Sequence, residues 1–333
     1  MKNNNIMINI QLLRIVLMLM IVSLHYLGHG QIITSVNIGT FNFYLVFILK
    51  SLCIIAVNTY IIITGYFMEG KRIRFKKVLE IEMLLLFYSL VICFIAVFIF
   101  KCKDKKYIVE SFFPFTSNMW WFASNYILLY IFIPILNFII NKLNKFYFTL
   151  INILIMILIG IVPILNLDIN MRAIYIFIAL YFFGAYIKRY KINLNKNLAI
   201  ISYLVLVAII SILNIESAII KKQILGEYWK YDNIFIILAS IMFFIYFKNI
   251  KIKGERLSKL ISTISSTTFS IYLIHDNPFI RSKLYNWLKV ESFSNSKLLI
   301  FNMIIIVTLI FISCSIIDIF RQKIIIILNK KIR

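Results

Sequence analysis

Apolar stretches of about 17 to 25 residues recur from one end of this chain to the other, separated by short charged or asparagine-rich connections. Stretches of that length cross a bilayer as helices, and little is left to build anything else. Of 333 residues, 62% are apolar and only 4 are prolines and 9 glycines, so a soluble fold of this size lacks the polar residues to cover its surface. The sequence predicts an all-α polytopic membrane helix bundle of about ten transmembrane helices. Residues 1–333 form a single membrane-embedded domain in this reading, with no appended soluble domain, because no connection exceeds about 20 residues.

The predicted spans run Ile10 to Gly28, Phe43 to Met68, Val78 to Phe100, Trp120 to Ile140, Phe146 to Leu165, Ala173 to Ile187, Leu198 to Ile215, Asn233 to Phe247, Ile264 to Ile280 and Leu298 to Phe320. Lysine and arginine set their direction. One set of loops, with the two termini, carries about 22 basic residues and the other about 12, which places both termini in the cytoplasm by the positive-inside rule. The basic connection after Phe100 runs against this trend, only partly offset by Asp104 and Glu110. The net charge of +23 therefore reports membrane topology, and the absence of a basic motif excludes nucleic acid as a partner. A multi-pass protein of the cell membrane is expected, its oligomeric state unspecified. Cys53, Cys93, Cys102 and Cys314 show no paired or metal-ligand spacing and read as packing residues. The Met1-Lys2 start resembles a signal n-region, but no small-residue cleavage site comes after it, so the first span reads as a retained helix.

Against this apolar background the first span is conspicuous. It holds Arg14 near one end and His25 and His29 near the other, two of the chain's three histidines. On an α-helix the step from Arg14 to His25 turns about 1100°, roughly 20° past three turns, and rises about 16 Å. The two side chains share a face. His29 lies one turn later if Gly28 does not end the helix. With the termini inside, Arg14 lies toward the cytoplasm and His25 toward the exterior.

Each of these residues has a bland reading beside a chemical one. Arg14 either snorkels to the interface or turns its planar fork toward phosphate in a wet cavity. His25 either anchors a loop or serves as general base or nucleophile, since imidazole titrates near neutral pH. His29 reads as a surface histidine. A metal pair at His25 and His29 fits by spacing, but HYLGH lacks the glutamate of the HExxH motif, and no metal is expected. The third histidine, His275, precedes Asp276 and Pro278 where a span nears the outer face; it reads as an interface anchor or as a second catalytic imidazole. Asp276 could orient that imidazole, although adjacent residues on a helix point in different directions and rarely pair. Lys50 snorkels or lines a cavity, while Asn58 and Thr59 suit interhelical hydrogen bonds. Trp120 and Trp121 suit an aromatic belt, or a stacking surface for a sugar acceptor. These polar groups fit an enzyme, a glycan or lipid transporter, or a membrane glycan polymerase, although no repeat or pair of broken helices of the transporter kind is visible.

Five segments in order resemble the acyltransferase-3 family of integral membrane acyltransferases. They are Arg14 with ten intervening residues and His25; Val57 to Phe67, ending Thr64-Gly65-Tyr66-Phe67; Trp120 to Asn137, with Tyr126, Tyr130 and Pro134-Ile-Leu-Asn137; Tyr181-Phe-Phe-Gly184; and Phe269-Ser-Ile-Tyr-Leu-Ile-His275. The resemblance covers essentially the whole chain. It implies O-acetyltransferase activity, with acetyl-CoA or another acyl-CoA as cytoplasmic donor and a hydroxyl of a cell-surface polysaccharide, lipid-linked or free, as acceptor. It further implies that Arg14 and His25 are the functional pair and that His275 contributes. Arg72, Arg74 and Lys76 are candidates, with Arg14, for the CoA phosphates. His25 then acts either as the base for direct transfer or as the carrier of an acyl-histidine. Some members carry an extracytoplasmic esterase-like domain, for which this sequence has no counterpart before Arg333.

Overall fold

The computed structural model describes residues 2–161 and 172–331. Helix succeeds helix, with no strand among the described residues. They are α1 (Lys2–His29), α2 (Ile32–Ser35), α3 (Phe41–Cys53), α4 (Ala56–Met68), α5 (Phe75–Phe98), α6 (Lys105–Phe112) and α7 (Trp121–Lys142). After them come α8 (Lys145–Ile161), α9 (Arg172–Arg189), α10 (Lys196–Lys221), α11 (Ile234–Lys248), α12 (Glu255–His275), α13 (Pro278–Trp287) and α14 (Leu299–Lys331).

Six of these segments are long and apolar enough to cross a membrane: Ile8–His29, Phe41–Met68, Phe75–Phe98, Trp121–Lys142, Lys196–Lys221 and Leu299–Leu328. Two more, Lys145–Ile159 and Ile234–Lys248, are apolar but shorter. The expected sixth and ninth spans are the helices α9 and α12, which fall outside this set. Arg172, Lys188 and Arg189 sit at the ends of α9, and α12 opens with Glu255, Arg256 and Lys259. Leu165, the expected end of the fifth span, lies outside the described residues.

Two compact units make up the chain, each assembled from separated segments. The first comprises residues 1–46, 84–120 and 252–333. Within it α1, α12 and α14 pack on one another. Apolar side chains such as Leu13, Leu17, Ile271 and Leu273 fill the contact, and a few polar pairs fix its register. Tyr26 Oη donates to Asn302 Oδ1 at 2.7 Å, and Thr267 Oγ1 lies 3.3 Å from Ser315 Oγ. Past the middle of α14, the fully buried carboxylate of Asp318 accepts from Tyr88 Oη at 2.6 Å, Arg321 Nε at 2.6 Å and Gln322 Nε2 at 2.7 Å. Three donors on one carboxylate satisfy a charge that apolar surroundings would otherwise reject.

The second unit comprises residues 47–83 and 121–251. At its centre α4 crosses α9, and two glycines permit the approach. A Cβ on Gly65 would lie 2.2 Å from the carbonyl oxygen of Tyr181, and one on Gly184 would lie 2.3 Å from that of Ile62. Any larger residue drives the backbones apart. Asn137 on α7 then closes the end of α4: its Nδ2 donates to the carbonyls of Met68 and Lys71 at 2.9 and 3.0 Å, while its Oδ1 accepts from Tyr181 at 2.7 Å. The broken span Phe41–Met68 is also repaired here. Helix α3 ends at Cys53 and α4 begins at Ala56, and the freed carbonyl of Leu52 accepts from Tyr203 Oη at 2.9 Å. The carbonyl of Ile55 accepts from Thr59 Oγ1 at 2.9 Å and from Ser240 Oγ at 3.4 Å. Backbone groups inside a bilayer need such partners because no water supplies them.

Candidate active site

The site begins with how two helices end. Gly28 does not stop α1, which continues to His29, so His25 and His29 stand one turn apart with ring centroids 4.8 Å from each other. In the same unit α12 stops at His275, and the Asn277-Pro278 pair supplies the reason. Pro278 occupies the first turn of α13 and confines Asn277 to extended backbone, at φ −58° and ψ 134°. Asn277 Oδ1 then caps α13 by accepting from Phe279 N at 3.0 Å and is held from α6 by Tyr107 Oη at 3.2 Å. Asp276, caught between the two helices at φ −98° and ψ 9°, has left the helical spiral. Its side chain is therefore not obliged to diverge from that of His275 as helical neighbours do.

The turn delivers both residues to the end of α1. His275 Nε2 lies 2.9 Å from His25 Nδ1, and Asp276 Oδ1 lies 3.6 Å from His25 Nδ1 and 3.4 Å from His29 Nε2. Arg281 Nη1, one turn along α13, lies 3.5 Å from the same carboxylate oxygen. Tyr285 is buried beside them, its ring centroid 6.3 Å from that of His29, and its hydroxyl has no hydrogen-bond partner among the described residues. Burial, with the Asp276 carboxylate adding to it, pushes the Tyr285 phenol up, so it remains a protonated donor.

Hydrogen-bond chemistry fixes the protons of the histidine pair. His275 Nδ1 lies 2.6 Å from the carbonyl oxygen of Ile271, which only accepts, so Nδ1 carries the proton. Neutral His275 then offers the lone pair of Nε2 to His25, and His25 Nδ1 must be the donor. The remaining lone pair of His25 is at Nε2. Access separates the two rings: the His25 side chain keeps 19% of its surface, whereas His275 is 1% exposed. His25 is the accessible ring of the pair, and His275 holds it from the buried side.

The other candidates lie elsewhere. Arg14 is exposed, three turns before His25 on α1. Arg72 and Arg74 lie in the connection ahead of α5 and Lys76 in its first turn; all three are exposed and belong to the second unit. Trp120 is fully buried, while Trp121, the first residue of α7, is half-buried and stacks on Tyr231 with centroids 5.7 Å apart. Lys50 places its Nζ 3.9 Å over the Trp229 ring. Sequence reasoning gave Arg281 and Tyr285 no part, discounted Asp276 and set His29 aside. The Asn277-Pro278 stop was the available signal for Asp276, since a residue just beyond a helix end is released from helical geometry.

The acyltransferase-3 family model, described as an acyltransferase domain, matches residues 7–318. The chain belongs to the acyltransferase-3 family. Membership makes it a membrane acyltransferase. No curated relative and no solved structure matches the chain. The five segments that resemble this family divide between two tasks. In the second unit Gly65, Asn137 and Gly184 supply close packing and helix-end bonding. In the first, His25 and His275 meet.

Proposed function

We propose that this acyltransferase moves a short acyl group, acetyl foremost, from cytoplasmic acyl-CoA to a hydroxyl of a cell-surface or extracellular polysaccharide. The observation that carries the reading is the bond between His25 Nδ1 and His275 Nε2, which leaves the His25 Nε2 lone pair for substrate. His25 is the base. In the reaction the acceptor hydroxyl oxygen attacks the thioester carbonyl carbon while its proton passes to His25 Nε2. The carbon–sulfur bond then breaks, and the departing thiolate takes that proton back. His275, bonded to the Ile271 carbonyl, keeps the His25 ring in the required tautomer and orientation and stays out of contact with substrate. Asp276 lies close enough to favour the transient imidazolium.

The donor enters from the side of the termini in this reading, with Arg14, Arg72, Arg74 and Lys76 receiving the CoA phosphates. The half-buried Trp121 offers a ring face to the sugar acceptor; the burial of Trp120 leaves that residue none. Ten membrane passages complete the proposal, the six long apolar segments together with α8, α9, α11 and α12, and an even number keeps both termini cytoplasmic.

The test is transfer of label from acetyl-CoA to a glycan acceptor by the purified chain in vesicles. The wild-type protein transfers label and His25→Ala, still folded, does not; full activity in His25→Ala overturns the assignment. Label retained on the protein in the absence of acceptor would replace direct transfer by an acyl-histidine step.

A further inference from the structure

The transfer reading uses one histidine as base and a second to orient it, yet His29 and Asp276 bring two more donor atoms beside His25. Three inter-donor distances run His275 Nε2 to His25 Nδ1 at 2.9 Å, His25 Nδ1 to Asp276 Oδ1 at 3.6 Å, and Asp276 Oδ1 to His29 Nε2 at 3.4 Å. A four-coordinate zinc-like ion with bonds of 2.0–2.1 Å to nitrogen and oxygen separates its ligands by about 3.3–3.4 Å. The donor atoms of His25, His29 and Asp276 all lie within 4.8 Å of one another. Closing a separation at that limit takes a swing of about 1.4 Å by a ligand. His29, whose side chain is 36% exposed at the last residue of α1, is placed to make it.

Second-sphere chemistry agrees. The bond from His275 Nδ1 to the Ile271 carbonyl is the outer contact that metal-ligating histidines make, and it leaves Nε2 aimed at the cluster. Arg281 opposes a cation, but through one 3.5 Å contact made by a side chain that is 37% exposed and able to turn away.

We propose that His25, His29, His275 and Asp276 form a binding site for a divalent first-row transition cation, and that its occupancy switches the acyltransferase off. The inference rests on His25 being the base. Binding through Nδ1 shifts the His25 proton from Nδ1 to Nε2, without releasing it. The lone pair that accepts the substrate proton is then gone. Three nitrogens and one carboxylate oxygen select ions of the zinc and cobalt class over magnesium or calcium.

The experiment uses the full chain, purified in detergent and stripped with chelator, with His29 as the discriminating position because it has no part in the transfer. Co²⁺ added to wild type produces the visible absorption of a four-coordinate ion, saturating at one ion per chain and displaced by Zn²⁺. His29→Ala, and His29→Gln as a second variant, shift that saturation to at least about tenfold higher Co²⁺. In parallel, Zn²⁺ inhibits wild-type acyl transfer over its binding range and chelator restores it. The His29 variants keep the chelated wild-type rate at Zn²⁺ concentrations that silence wild type. No Co²⁺ spectrum, or His29 variants as sensitive to Zn²⁺ as wild type, overturns the site. A His29-dependent Co²⁺ spectrum alongside transfer that survives in His25→Ala overturns the switch through failure of the base assignment, and the spectrum tells the two failures apart.

Discussion

His25 Nδ1 and His275 Nε2 lie 2.9 Å apart although 250 residues of chain separate them. One ring is reachable and the other is not, so substitutions at the two positions should differ in kind. His25→Ala should remove activity. His275→Ala should leave the base present but untethered, lowering kcat by about 10²–10⁴-fold, as loss of an orienting partner does elsewhere, with the acceptor KM little changed. Steady-state kinetics with both substrates varied decides this. A wild-type kcat in His275→Ala would remove the orienting role.

Arg14 is expected to act on the donor. Arg14→Lys keeps the charge and loses the planar fork, so KM for acyl-CoA should rise while KM for the glycan acceptor holds. Unchanged donor dependence would argue against contact with the CoA phosphates.

Asn277 holds the turn that carries His275 and Asp276, by capping α13 and accepting from Tyr107. Asn277→Ala should cost about 1–2 kcal/mol of stability and reduce transfer, since the turn loosens as the cap is lost. Asn277→Asp, which still accepts both bonds, should recover most of each. Thermal unfolding in detergent beside the label-transfer assay measures the pair, and equal losses in the two variants would refute the capping role.

Gly65 and Gly184 leave no room for a methyl group. Gly65→Ala and Gly184→Ala should each destabilise by about 1–3 kcal/mol or more through overpacking. The loss should appear in unfolding midpoints and in the yield of folded protein. Native stability in either variant would mean that α4 and α9 shift apart at no cost.

Around Asp318 the expected ranking is set by charge. Tyr88→Phe removes one bond to a buried carboxylate, worth about 1.5–3 kcal/mol. Arg321→Leu leaves that carboxylate uncompensated and should cost about 3–5 kcal/mol. Replacing Asp318 and Arg321 together by leucine should recover much of the second loss, because no buried charge remains. Denaturant unfolding of the three proteins checks the order.

Much of this protein is written in short-range pattern. Apolar runs specify membrane helices because hydrocarbon tolerates little else, and the step of eleven residues puts Arg14 and His25 on one face because helical pitch is fixed. The same pitch put His29 beside His25, though nothing local gave that residue a partner. What sequence could not decide is which distant helix end meets α1. That depends on side-chain packing among α1, α12 and α14, which no periodicity encodes. Asp276 shows the difference most sharply. Read as the helical neighbour of His275 it points away, but Pro278 ends the helix before Asp276 can join it, and the tertiary structure aims its carboxylate at His25 and His29. Gly65 and Gly184 likewise stood in the sequence as parts of motifs, and only the crossing of α4 and α9 explains why neither position has room for a Cβ.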